Sequence, residues 1–242
     1  MAKTSGEMTA TMIEFERFTH LTFDCYGTII DWEAGILAAV VPVLERHGVS
    51  IDEPELLQLY AQFEARQEAG SYKPYKQILM GVMESFGADL GFTPSEADLL
   101  ALPGSVGAWP PFPDSVEALQ RLQVGFELVI LSNIDDDLFA ATEAMLGVEF
   151  DEVITAQQVG SYKPSLETFD FALDRLQVPR QKVLHVAQSL FHDHAPAKEL
   201  GFTTVWVNRP SRCPGVGVAP PTQSSPDLEV VDLASLVKLV GM

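Results

Sequence analysis

His20-Leu21-Thr22-Phe23-Asp24-Cys25-Tyr26-Gly27-Thr28 begins as a short buried strand and stops at an aspartate, with a glycine turn just beyond. Three further runs have the same character: Phe126 to Leu131, Lys182 to Ala187 and Thr203 to Val207. Each is rich in branched or aromatic residues, as strands covered on both faces of a parallel sheet are. Helical patterns separate them at Ser115–Gln123, Asp136–Leu146, Leu166–Gln177 and Pro196–Leu200. The alternation predicts an α/β fold with a doubly wound parallel sheet.

Between the first two strands the alternation breaks. Apolar spacing of helical type runs over Ile36–Leu44, Leu56–Phe63 and Ile78–Phe86, and a further helix is expected from Thr93 with Pro94 at its first position. Residues 32–108 therefore read as a helical insertion, closed by Trp109-Pro110-Pro111-Phe112-Pro113. Residues 1–31 and 109–242 form the core. A Pro/Gly/Ser-rich stretch, Pro210 to Pro226, reads as a long surface loop. Gly-Ser-Tyr-Lys-Pro occurs twice, at 70–74 and 160–164, in surroundings that do not match, and is read as coincidence rather than a repeat.

The chain has 242 residues, enough for a sizeable α/β domain with an insertion, and 47% of them are hydrophobic. With 15 basic and 34 acidic residues its net charge is −19, which repels nucleic acid and anionic membrane surfaces. No apolar stretch approaches the roughly 20 residues of a membrane span; the longest candidate is Gly35 to Leu44. The first twenty residues mix Lys3, Glu7, Glu14, Glu16 and Arg17 with apolar positions, unlike a signal peptide. Two cysteines, Cys25 and Cys213, suit a reducing compartment, so a cytoplasmic location is expected. Strand alternation points Cys25 into the core, away from Asp24.

Reactive groups of an open parallel sheet collect where strands end at their carboxyl side. Here those ends carry Asp24 with Thr28, Ser132 with Asn133, and Gln188, Ser189, His192 and Asp193, while Lys163 lies on the loop before another helix. Two carboxylates, a lysine and small hydroxyls at one rim make a covalent site. An ammonium within about 4–6 Å keeps a partly buried carboxylate ionised, and the ionised form is the nucleophile.

Phe23-Asp24-Cys25-Tyr26-Gly27-Thr28, Leu131-Ser132-Asn133, Tyr162-Lys163-Pro164 and Val186-Ala187-Gln188-Ser189 with Asp193 resemble, in order and spacing, the four motifs of the haloacid dehalogenase superfamily. The resemblance implies a Rossmann-like core with a helical cap inserted after the first motif. It makes Asp24 the nucleophile and Thr28 its oxygen-binding neighbour, with Ser132 and Asn133 on the substrate anion and Lys163 paired with Asp24. It also implies a homodimer through the cap.

Phosphatases of this superfamily carry a second aspartate two residues after the nucleophile, where this chain has Tyr26, and a Mg²⁺-binding carboxylate where it has Gln188. Without a metal, a phosphate dianion near Asp24 and Asp193 meets repulsion of roughly 4 kcal/mol per charge pair at 4 Å. Tyr26-Gly27-Thr28 is similar instead to the 2-haloacid dehalogenase branch, in which an aspartate displaces halide from the carbon next to a carboxylate and water hydrolyses the aspartyl ester.

Asp193, with His192 as rival, is the expected activator of that water, and Gln188 and Ser189 are expected to orient it or hold the substrate carboxylate. Dehalogenases place an arginine in the cap for the leaving halide; the comparable region here, Asp52 to Glu55, is acidic. Arg66 or Lys73, later in the insertion, is the candidate substitute; against Arg66 stands its reading as a helix-surface residue beside Glu64 and Glu68. Trp32, Tyr72, Trp109 and Phe191 are candidate pocket walls.

Asp24 to Thr28 with Asp31-Trp32-Glu33, and Ser189 to His194, also resemble the L-azetidine-2-carboxylate hydrolases, dehalogenase relatives that open a strained ring by breaking C–N. There an amine leaves, and His192 or His194 is the candidate proton donor. The expectation is a hydrolase of small 2-substituted carboxylic acids, needing neither metal nor cofactor. It is foremost a 2-haloacid dehalogenase, with the C–N hydrolase as alternative and a Mg²⁺-dependent phosphatase a distant third.

Overall fold

A computed structural model describes residues 13–213 and 224–242. The start of the chain and most of the expected 210–226 loop lie outside those residues. Six parallel strands form one sheet in the order β3-β2-β1-β4-β5-β6: β1 His20–Phe23, β2 Glu127–Ser132, β3 Glu152–Thr155, β4 Val183–Ala187, β5 Thr203–Val207 and β6 Leu228–Val230. The order reverses between β1 and β4, which opens a crevice beyond their carboxyl ends where open α/β sheets bind ligands. Phe23 is in register with both Ile130 and Val186, so Asp24 leaves the sheet at the centre of that crevice.

Helices cover both faces. On one side Leu21, Phe23, Ile130, Leu184 and Val186 join the large core; on the other Val129, Leu131, Val183, Phe169 and Phe202 form a smaller one. Five helices follow β1 with no strand between them: α1 Trp32–Arg46, α2 Glu53–Glu68, α3 Tyr75–Leu90, α4 Glu96–Leu99 and α5 Ala101–Ser105. The remaining helices belong to the crossovers and the chain end: α6 Ser115–Leu122, α7 Asp136–Leu146, α8 Ala156–Val159, α9 Leu166–Leu176, α10 Ala195–Glu199 and α11 Leu233–Val240.

The fourth helix starts two residues later than expected. Ser95, rather than Thr93, is its cap: the Ser95 hydroxyl accepts from the Asp98 amide while the Asp98 carboxylate accepts from the Ser95 amide. A Cβ on Gly87 would meet Pro94 Cδ at 2.5 Å, so that proline packs on α3 rather than opening α4. No helix among the described residues is long and apolar enough to cross a membrane.

Asp135 ties α3 to the core. Its two carboxylate oxygens accept from the Tyr75 and Lys76 amides at 2.8 and 2.9 Å, satisfying free N–H groups at the start of that helix.

Candidate active site

The chain leaves β1 in a tight turn. Gly27 takes a positive φ of 99° and its amide donates to Ile30 O at 2.8 Å. Arg209 holds this turn from outside: its Nε and one terminal nitrogen donate to Thr28 O at 3.1 and 3.0 Å, and the other pairs with Asp114 at 2.6 Å. Asp24 then faces a cavity of about 500 Å³ between the strand ends and α2.

Three charged groups meet on the cavity floor. Lys163 Nζ donates to Asp24 Oδ1 at 2.9 Å, to Asp193 Oδ1 at 2.6 Å and to Leu131 O at 2.8 Å, and the lysine is only 1% exposed. Thr28 Oγ1 donates to Asp24 Oδ2 at 2.8 Å and accepts from the Gln188 amide at 2.9 Å, joining the ends of β1 and β4. Burial raises the Asp24 carboxyl above the usual range; Lys163 opposes that and Asp193 adds to it. Burial also works against ionised Asp193, but Lys163 and His185 outweigh it and hold that carboxyl low. One ammonium shared by two carboxylates leaves the trio with a net negative charge.

Ser132 ends β2 at the cavity, its hydroxyl unpartnered among the described residues and 1% of the residue exposed. Asn133 also lines the cavity, but its amide is engaged with the Lys163 main chain, at 2.7 Å to the amide and 3.0 Å to the carbonyl. It fixes the lysine loop, and one N–H remains for a substrate anion. Ser189 caps the turn Leu190–His194, accepting from the His192 amide at 3.0 Å, and lies 3.1 Å from His192 Nδ1. Burial lowers His192 to about 4, so its imidazole is neutral.

Tyr26, Trp32, Phe191, His192 and Gln188 line the cavity. Tyr26 Oη is 2.8 Å from Thr142 Oγ1 and its ring meets Trp109 edge-on. Cys25 is fully buried in the core, and burial raises its thiol well above the usual range.

Four expected residues are elsewhere: Lys73 is exposed just before α3, and Trp109 is buried against Tyr26 and Gly35 rather than on the cavity wall. Arg66 is exposed on α2, its guanidinium 5.7 Å from the Phe63 ring, and does not line the cavity. The face of α2 that does carries Ala61, Glu64, Ala65 and Glu68, and a residue two positions from Glu64 points away from it. His194 is also off the cavity, fully buried with Nε2 2.9 Å from Ala187 O.

A model of the haloacid dehalogenase-like hydrolases matches residues 18–201, which span all four motifs. The chain belongs to that family. This hydrolase is 30% identical over 199 residues to (S)-2-haloacid dehalogenase 1 of Pseudomonas sp. strain CBS-3, covering 77% of this chain and 83% of that one. It is 26% identical to (S)-2-haloacid dehalogenase 4A of Burkholderia cepacia, over 82% and 86% of the two chains. The structure of L-2-haloacid dehalogenase from Xanthobacter autotrophicus superposes with a TM-score of 0.78 at 25% identity, covering 93% of this chain and 98% of that one.

Three features of the hydrolase's site are absent from the motif reading. Glu64 and Glu68 turn two carboxylates into the cavity from the cap; Tyr60 and Tyr75 donate to Glu64 Oε1 at 3.0 and 2.5 Å. Burial raises both glutamates. Arg209 holds the turn that follows Asp24. His185 lies fully buried on β4 with its Nε2 3.1 Å from Asp193 Oδ1. The sequence signal for this histidine is its place inside the apolar run Val183–Ala187, on the alternate positions that lead to the crevice.

Proposed function

We propose that the chain hydrolyses small 2-substituted carboxylic acids through a covalent ester on Asp24. The single observation that carries this reading is the ammonium of Lys163 shared by Asp24 and Asp193 in one buried site. It favours ionised Asp24 against the effect of burial, and it fixes one Asp24 oxygen while Thr28 holds the other. The substrate carboxylate lies against the Ser132 hydroxyl and the free Asn133 N–H. Asp24 attacks the carbon beside it, the substituent leaves with its bonding pair, and water then attacks the Asp24 carbonyl with Asp193 as base. The product is a 2-hydroxy acid.

The family relatives support halide as the leaving group, which makes the chain a 2-haloacid dehalogenase. The donor set argues against a Mg²⁺ phosphatase. Gln188 replaces a carboxylate, Tyr26 replaces the second aspartate, and Asp193 Oδ1 already accepts from Lys163 and His185.

One observation favours the C–N hydrolase as a second reading. Among the described residues no arginine lines the cavity, and Glu64 and Glu68 line it among Trp32, Tyr72 and Phe191. Carboxylates and aromatic faces attract an ammonium and repel an anion. A protonated ring nitrogen held there would leave as a neutral amine when Asp24 takes its carbon, with no added proton donor. That suits a site whose His192 is neutral.

Turnover of (S)-2-chloropropionate and L-azetidine-2-carboxylate, each with and without EDTA, tests both readings. Chloride release unaffected by EDTA supports the dehalogenase, and ring opening alone supports the second reading. A Mg²⁺ requirement contradicts both. The same reading carries a homodimer through the cap, which sedimentation of the purified chain tests.

A further inference from the structure

His185 lies in the sheet layer facing α9, with the Phe169 ring edge-on at 5.2 Å and Val183 and Phe202 in the same small core. An imidazole in such a layer is costly unless both ring nitrogens are paired. Both are. Thr22 is in register with His185 on the neighbouring strand, and its hydroxyl lies 2.9 Å from Nδ1. Nε2 lies 3.1 Å from Asp193 Oδ1. Because that carboxylate is ionised, Nε2 carries a hydrogen and donates to it, and Nδ1 is left to the Thr22 hydroxyl.

Asp193 therefore takes both its donors, Lys163 and His185, on Oδ1, and its Oδ2 has no partner among the described residues. The buried relay Thr22–His185–Asp193–Lys163–Asp24 crosses from the interior of the sheet to the reacting carboxylate.

We propose that His185 is a positioning residue for the second half of the reaction: it locks the Asp193 carboxylate through Oδ1, so that Oδ2 is the oxygen that takes the proton of the attacking water. The proposal rests on the aspartyl-ester reading. Water oxygen bonds to the Asp24 carbonyl carbon and its proton passes to Asp193 Oδ2. The bond from that carbon to the substrate oxygen breaks, and the proton goes on to the departing hydroxyl. The second proton of the water, left on the new Asp24 carboxyl, passes to solvent, and Asp24 is restored as a carboxylate. His185 touches none of the reacting atoms and acts through Asp193 alone. The attack of Asp24 on substrate does not use Oδ2, so loss of His185 affects hydrolysis of the ester and spares its formation.

The test uses His185→Leu, His185→Gln and the wild type. Glutamine can place an amide N–H where Nε2 was; leucine cannot. After rapid mixing and quenching with (S)-2-chloropropionate or L-azetidine-2-carboxylate, intact mass measures the fraction of protein carrying the Asp24 ester. In His185→Leu the hydrolytic step is expected to slow about tenfold or more, within the range that positioned bases supply. The ester then accumulates above the wild-type level, and His185→Gln recovers most of the rate.

Formation and hydrolysis slowed in equal proportion, or a glutamine variant as impaired as leucine, would overturn the proposal. An ester absent from wild type and variants alike would remove the ester reading, and this role with it.

A second measurement needs no substrate. The groups around Asp193 are Lys163, Asp24, His185, His192 and His194. Loss of the His185 donor removes stabilisation of the ionised carboxyl, so carbon NMR of carboxyl-labelled aspartate should find Asp193 titrating at higher pH in His185→Leu and in its milder counterpart Thr22→Val. An unmoved Asp193 in a folded His185→Leu protein contradicts the lock.

Discussion

The Tyr162 hydroxyl donates to the carbonyl of Lys73 at 2.7 Å, joining the two Gly-Ser-Tyr-Lys-Pro stretches at one edge of the cavity. Tyr72 and Tyr162 also stand with ring centroids 5.3 Å apart. The echo at 70–74 and 160–164 thus has a spatial counterpart, with the cap copy seated beside the core copy that carries Lys163. Removing this one bond in Tyr162→Phe should cost about 1 kcal/mol. Steady-state kinetics should then give a KM raised about threefold to tenfold with kcat within twofold, as expected for a contact that holds the cap over substrate. An unchanged KM would contradict that role.

Lys163→Met leaves two buried carboxylates without their cation, a change that typically costs 3–5 kcal/mol. The lost ammonium also lets burial and mutual repulsion raise Asp24 further. In wild type, activity should fall with decreasing pH as Asp24 takes a proton, at a pH above the ordinary aspartate range. In Lys163→Met the remaining activity should be at least about a hundredfold lower, with its acid limb moved upward. A variant whose pH–rate profile matches wild type contradicts the charge-sharing account.

Glu68 lines the cavity and its carboxyl is raised well above the usual range, by burial first and Glu64 second, with Lys163 opposing. As pH rises through its titration the cap wall gains negative charge. Binding of (S)-2-chloropropionate should weaken over that interval and binding of L-azetidine-2-carboxylate should strengthen. Glu68→Gln should flatten both trends, which calorimetry on an Asp24→Asn background measures without turnover. Trends that persist in the glutamine variant would assign them to another group.

Gly35 on α1 sits against the buried Trp109 ring so closely that a Cβ would overlap it. Trp109 in turn meets the edge of Tyr26 at 5.7 Å. Gly35→Ala should destabilise the protein by about 1–3 kcal/mol through overpacking. At about 2–4 °C per kcal/mol for a chain of this size, thermal unfolding should shift by several degrees. No shift would mean that the ring relaxes freely.

The central strands were legible because β1, β2, β4 and β5 are covered on both faces and read as apolar runs. Glu152–Thr155 and Leu228–Val230 are short strands at the sheet edges, half-exposed in part, and leave no such run. Asp24, Thr28, Ser132, Lys163 and Asp193 were legible from their places at strand ends and in a loop. His185 was hidden by its apolar neighbours Leu184 and Val186. The cap wall was not legible at all: helical spacing groups Leu56, Tyr60 and Phe63 as a buried face, but it does not say which flank of α2 looks onto Asp24. That depends on how the cap seats on the core, through Asp135 and Tyr162. That seating turns Glu68 into the cavity and leaves Arg66 on the exposed side of α2.

The most direct test of the Asp24 ester is one turnover in H₂¹⁸O with enzyme in excess, followed by peptide mass mapping. It should be run with (S)-2-chloropropionate and with L-azetidine-2-carboxylate. The account predicts one ¹⁸O in the peptide that carries Asp24, and none in Asp24→Asn. Turnover that puts the label only in the product, with the Asp24 peptide unlabelled, would mean that water attacks the substrate directly and would contradict covalent catalysis by Asp24.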